Sequence, residues 1–322
     1  MKKLLTFVLI CLLGLTLSVY IARSSSAEAN DTQQALDQPQ IQTEIIERDL
    51  IYDFKIPSQG EIARTKKEIK ESNEYRNQEK RLGKKRAEKN LDEKIQTDIN
   101  YMKNMNQKGK GKIQLATVKT AEGDVGSIST TYLPYFTAPY FTIWTYEKNI
   151  FGACTDTQVD PMNLLFWDHG SARDVSYNLI KNVSPAWGYV VAGSQCAWTG
   201  TDDPGSLNIS QLKRQTYQWQ NGNFWIRHHI RIWSAPSYGE WGEWSVASTH
   251  HETWSWTYFD HCVDSPYGFE DSEHFVRDQM NQVSGTYEEK DVGNKADLSR
   301  CGQPVYSDGL MPFINLPVDT PY

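Results

Sequence analysis

The segment Arg227-His228-His229-Ile230-Arg231-Ile232-Trp233 sets two imidazoles between two guanidinium groups within seven residues. Six of the seven histidines fall between His228 and His274, with carboxylates close by: Glu252 after His250-His251, Asp260 and Asp264 around His261, and Asp271 and Glu273 before His274. Side chains alternate between the two faces of a strand. Ile226, His228, Ile230 and Ile232 therefore share one face, and Arg227, His229 and Arg231 share the other. His228 is expected to face the core. His229, flanked by cations, is expected to stay neutral, the form that serves as a base or a metal ligand.

Three chemistries suit this set. His229, His250 and His261, delivered by neighbouring strands, could hold zinc or another divalent metal with one position open for water. Arg227 and Arg231 could grip an anion such as phosphate, with Asp264 or Glu273 as general acid or base in phosphoester hydrolysis. The third is a polar strand face whose charges pair with one another. No H-E-x-x-H, G-x-S-x-G or glycine-rich phosphate loop occurs. Trp241, Trp244, Trp254 and Trp256 would suit stacking on sugar rings, or ordinary core packing. The leading expectation is one polar pocket, built by His229, His250, His261, Asp264 and Glu273, that binds a metal ion or anionic ligand and could hydrolyse a phosphoester; a non-catalytic cell-envelope module binding glycan or protein is the alternative.

These residues need elements to position them. Asn163 to Trp167 reads as a buried strand, and Ser171 as the N-cap of a helix ending before Pro185. Thr216–Gln220 and Phe224–Trp233 flank Asn221-Gly222, the pair best suited to a type I′ turn, so a hairpin is expected there. Strands are expected over Trp244–Thr253 and Tyr258–Val263, and a helix over Glu270–Val283, with edge strands or an aromatic arm at Thr130–Tyr146. The class is α+β: a mostly antiparallel sheet with helices packed on one face, preceded by a charged helical spacer.

Organisation follows charge. Lys2 and Lys3, the apolar run Leu4–Ile21 and Ala27-Glu28-Ala29 read as a signal peptide over 1–29, or as a tether if uncleaved. Residues 30–112 read as a largely helical spacer or pro-segment, in which Gly60–Lys112 carries 16 Lys+Arg against 9 Asp+Glu. Its Ile62, Ile69, Leu82, Leu91, Ile95, Ile99, Met102 and Met105 form a thin apolar stripe. Residues 113–322 read as the globular domain, with all eleven tryptophans and 12 Lys+Arg against 24 Asp+Glu. Mixed charge signs and export argue against nucleic acid as partner. No later stretch is apolar enough to span a membrane. Beyond Cys11 in the signal, Cys154, Cys196, Cys262 and Cys301 are an even set, expected as two disulfides with three pairings open.

The motifs Asp160–Leu165 (DPMNLL), Arg227–Trp233 (RHHIRIW), Ala247–His251 (ASTHH), His261–Asp264 (HCVD) and Glu270–Val276 (EDSEHFV) occur in that order. Together they resemble the LssY C-terminal domain, found in bacteria alone or attached to membrane domains of the lipid-phosphatase type; the resemblance covers 160–283. It implies recurrent polar positions at Arg227, His229, Arg231, His250, His261, Asp264, Asp271 and Glu273. His251 stands where an aspartate is expected and His274 where an arginine is expected. The family brings no assigned reaction, and its lipid-phosphatase association is an argument from neighbours.

Overall fold

The computed structural model describes residues 41–120, 139–167, 175, 187–190, 195–223, 225–234, 244–255, 260–284 and 286–315. The signal segment lies outside these residues, as does the helix expected after Ser171 except for Val175, which is helical and buried. All but Ile41 and Thr120 of the described residues belong to one compact unit.

In chain order, β1 (Ile41–Ile51) leads into three helices, α1 (Gln59–Glu71), α2 (Asn73–Leu82) and α3 (Lys84–Lys108), and then β2 (Lys110–Thr120). Short strands follow: β3 (Tyr140–Thr142), β4 (Trp144–Lys148), β5 (Cys154–Pro161), β6 (Leu164–Trp167), β7 (Trp187–Tyr189), β8 (Gln195–Ala197), β9 (Thr199–Gly200), β10 (Ser206–Asn208) and β11 (Lys213–Arg214). The longest pairings come next, with β12 (Tyr217–Gly222), β13 (Ile226–Ser234), β14 (Ser245–Ser255) and β15 (Asp260–Val263). Helix α4 (Gly268–Ser284) precedes β16 (Thr286–Asp291), β17 (Ala296–Arg300), β18 (Gln303–Ser307) and β19 (Leu310–Asn315).

The central sheet runs β16-β19-β6-β14-β13-β12-β7, with β15 on the far end of β14. Every pairing in it is antiparallel except β19 with β6. Helix α4 covers one face. There Ile230, Ile232 and Ala247 pack with Val276, Met280, Leu164, Phe166 and Ile314 in one buried apolar cluster. The second sheet, β11-β8-β4-β5, meets the other face: Trp233 Nε1 donates to Lys213 O at 3.1 Å, and Arg231 bonds Asp160 of β5. The α+β class with an antiparallel-rich sheet is therefore as the sequence indicated. The sequence reading missed the second sheet and the β10-β1-β2-β3-β9 sheet.

Residues 41–119 do not stand apart as a spacer. Ala87, Leu91, Ile95, Ile99 and Met102 are a buried stripe at helical spacing on α3. Polar side chains fix the same helix to the strands around it. Asn106 binds both the N–H and the C=O of Phe54, at 2.7 and 2.8 Å. Asp98 accepts from Ile150 N at 2.9 Å, and Tyr101 and Tyr52 both donate to Asp156. A Ser58–Glu61 capping box starts α1, and Gly83 and Gly109, both at positive φ, close α2 and α3.

The β12–β13 hairpin forms, but its register centres the turn three residues past Asn221-Gly222. Gly222 pairs Arg227, and Asn223 N–H bonds Ile226 O to close the loop. The Asn223 side chain wins this register by accepting from Trp225 N and Ile226 N. Gly222 remains necessary: at φ 130°, a Cβ there would collide with Ile226 O. The disulfides join Cys154 to Cys196 and Cys262 to Cys301. One staples β5 to β8, and the other ties β15 to the β17–β18 turn.

Candidate functional site

Strand register assembles the site. In the β13–β14 pair His229 faces His250, Arg227 faces Glu252, and Arg231 faces Ser248, all on the side away from α4. The second sheet adds Asp160 from β5 and Gln195 from β8, and β12 adds Gln218. His229 is 1% exposed and Glu252 4%, so this is a polar layer sealed between two sheets.

Its charges balance. Arg227 bonds Glu252 through a guanidinium fork and also reaches Gln220 Oε1. Arg231 Nη1 donates to Asp160 Oδ2 at 3.1 Å, and Gln195 Nε2 donates to the same oxygen. Two cations thus meet two carboxylates, which is what makes such burial tolerable. Burial pushes the Glu252 carboxyl up, but His250, His229 and Arg227 outweigh it and hold it well below the usual range. Glu252 is therefore a carboxylate, and His250 Nε2, 2.8 Å from its Oε2, donates.

The same logic fixes the proton on His229. The backbone N–H of Gln195 can only donate, and it meets Gln215 Oε1 at 3.1 Å. Gln215 Nε2 then donates to Gln218 Oε1 at 2.7 Å, leaving the Gln218 amide NH2 to donate to His229 Nε2. His229 Nε2 is consequently a bare lone pair, and the proton sits on Nδ1, 3.8 Å from Glu252 Oε1. Burial, then Arg231, hold the imidazole neutral, with its pKa well below the ordinary value.

The α4 face carries its own relay. Thr249 Oγ1 donates its one proton to His229 O at 2.9 Å, so Ser272 Oγ donates to Thr249 at 2.6 Å. His228 Nδ1, 3.1 Å from that Ser272 oxygen, must then be its donor. Burial, then His251 and His250, push the His228 pKa down to about 4, while its ring stacks on Phe275 at 3.8 Å. His228 is the core-side histidine the alternation indicated.

The structure divides the expected five-residue pocket. His229 and His250 come together, joined by Arg227 and Arg231. Asp264 lies elsewhere, its Oδ2 accepting from His251 Nδ1 at 2.7 Å beside the β14–β15 end. Glu273 sits on α4, on the opposite side of the sheet. Burial, then Glu270, Asp308 and Glu289, push its carboxyl up to about 10. Asp271 is on the exposed side of α4. His261 is in β15, but its side chain falls outside the described residues.

Asp160, Gln195, Gln215 and Gln218 escaped sequence reasoning, and Glu252 was noted without a role. Glu252 was within reach, since i+2 from His250 shares its face. Asp160 lies 71 residues from Arg231 in the chain, and no spacing rule links them.

Within this layer, His229, His250 and Glu252 have ligand-type atoms within 4.8 Å of one another, a metal-ligand spacing. No family model, curated protein or solved structure matches the chain. The buried centre and the surface must therefore be interpreted on their own chemistry.

Proposed function

We propose that this chain is an exported, disulfide-stapled interaction module of the cell envelope with an LssY-C-like core, contacting polysaccharide through exposed aromatic side chains on the edge strand β7 and in the β12–β13 loop. The observation that carries this reading is the division of the polar residues between two sheet faces. Arg227 and Arg231 are committed to Glu252 and Asp160, and the acids Asp264 and Glu273 lie away from them. A hydrolase would need such groups within reach of one substrate atom.

Exposed aromatic rings supply contact area instead. Tyr189 is 54% exposed and Trp225 53%, and Tyr189 packs edge-on against Trp219 with ring centroids 5.1 Å apart. A ring held by a neighbour loses little freedom on binding, which suits stacking against sugars. Two disulfides support an oxidising compartment, and no described helix is long and apolar enough to cross a membrane. Export rests on the signal segment, and family kinship on the order of the five motifs.

The test is retention on insoluble cell-wall polysaccharide. Wild type should be retained, and Trp225→Ala or Tyr189→Ala should each weaken retention about tenfold. Equal retention of all three proteins, or of none, would contradict the proposal.

A second reading, a metal-holding role, is favoured by the 4.8 Å spread of the His229, His250 and Glu252 donors and by His250 Nδ1, which has no hydrogen-bond partner among the described residues. Elemental analysis of wild type against His250→Ala separates the two: metal lost with His250 would select the second.

A further inference from the structure

A different cluster lacks the charge balance of the histidine centre. Glu270, Glu273 and His274 stand at i, i+3 and i+4 on α4, so they share one helix face. Their carboxylate oxygens and imidazole nitrogen lie within 4.8 Å of one another. Glu273 is 1% exposed, and its Oε2 has no hydrogen-bond partner among the described residues; the same holds for Glu270 Oε2.

More negative charge surrounds them. Asp308, in the β18–β19 turn, donates its backbone N–H to Glu270 Oε1 at 3.1 Å, and its carboxylate and that of Glu289 both act on Glu273. The cation beside Glu273, Arg277, is already bound to Asp278 at 2.8 Å and to Glu289 at 2.6 Å. A buried carboxyl oxygen without a donor costs free energy unless a proton or a cation satisfies it. The positive end of the α4 dipole opposes a cation within its first turn; a cation that displaces the proton on Glu273 would meet the carboxylates of Glu270, Glu273 and Asp308, which together outweigh half an elementary charge.

We propose that Glu270, Glu273 and His274 bind one divalent cation of the manganese or zinc class, with Asp308 alongside as a further carboxylate. Two carboxylates and one imidazole form an oxygen-rich borderline donor set, which suits these ions and leaves positions for water. Bound there, the ion ties the start of α4 to the β18–β19 turn. It also cancels the repulsion among the acids and needs nothing from the histidine centre on the other face.

The test is titration of the chelator-treated, full-length protein with Mn2+, followed by electron paramagnetic resonance and by Tm. One Mn2+ per chain should bind, be displaced by Zn2+, and raise Tm by about 5 °C at saturation. Glu273→Gln should fold at least as well as wild type without metal, yet weaken binding about 100-fold; His274→Ala, an exposed site, should weaken it about tenfold. His250→Gln should leave Mn2+ binding unchanged. Wild type that takes up no Mn2+ at millimolar levels, or Glu273→Gln and His274→Ala that bind like wild type, would overturn the assignment. So would loss of binding in His250→Gln alone.

Discussion

Asp160 on β5 and Arg231 on β13 are joined across two sheets by a 3.1 Å bond, with both side chains buried. This pair helps fix how β5 lies on the central sheet, whereas Arg227–Glu252 joins β13 to β14 within that sheet. Half-removal should be severe. Asp160→Ala takes the paired carboxylate from a buried guanidinium and should cost about 3–5 kcal/mol, whereas a matched replacement such as Asp160→Leu with Arg231→Met should recover most of the loss. Urea unfolding of the single and double variants measures both.

Acid should weaken the fold through His228. Its folded pKa of about 4 lies below the ordinary value of 6.5, so the unfolded chain binds a proton that the folded chain refuses. Stability is therefore full above about pH 6.5 and falls as pH drops toward 4. The ring is partly exposed, and after solvent screening the loss assignable to it is about 1–2 kcal/mol. Urea midpoints of wild type and His228→Asn should converge between pH 7 and pH 4. Parallel curves would show that His228 does not titrate in this way.

The disulfides close loops of 42 and 39 residues. Loop-closure entropy assigns each about 4 kcal/mol of stability. Reduction should lower the urea midpoint, and Cys154→Ala with Cys196→Ala should reproduce about half of that drop. Unchanged stability on reduction would contradict both cross-links.

How much of this was legible in the sequence depends on the range over which each signal acts. Alternation in Arg227–Trp233 put His228 on the core face and His229 on the other, because a strand decides sidedness locally, and the core face is the one that α4 covers. The α3 stripe was equally local, but whether it met solvent or a core was not. That depends on Asn106, Asp98 and Tyr101 finding Phe54, Ile150 and Asp156 about fifty residues away. The pocket failed for a related reason. His229 and Glu273 were grouped by sequence neighbourhood and chemistry, yet a sheet separates them, and only the crossing of α4 over one face reveals it. The hairpin turn slipped because the Asn223 side chain competes with Asn221-Gly222 for the loop.

The central claim is that the histidine centre is closed, with the Gln195–Gln215–Gln218 chain dictating the state of His229. Nitrogen NMR of 15N-histidine-labelled protein reads this directly. The expected result is a His229 ring protonated at Nδ1 and bare at Nε2, unchanged from pH 5 to pH 8. A proton on Nε2, or titration of His229 near its ordinary pKa, would contradict the network and reopen that centre as a site for chemistry.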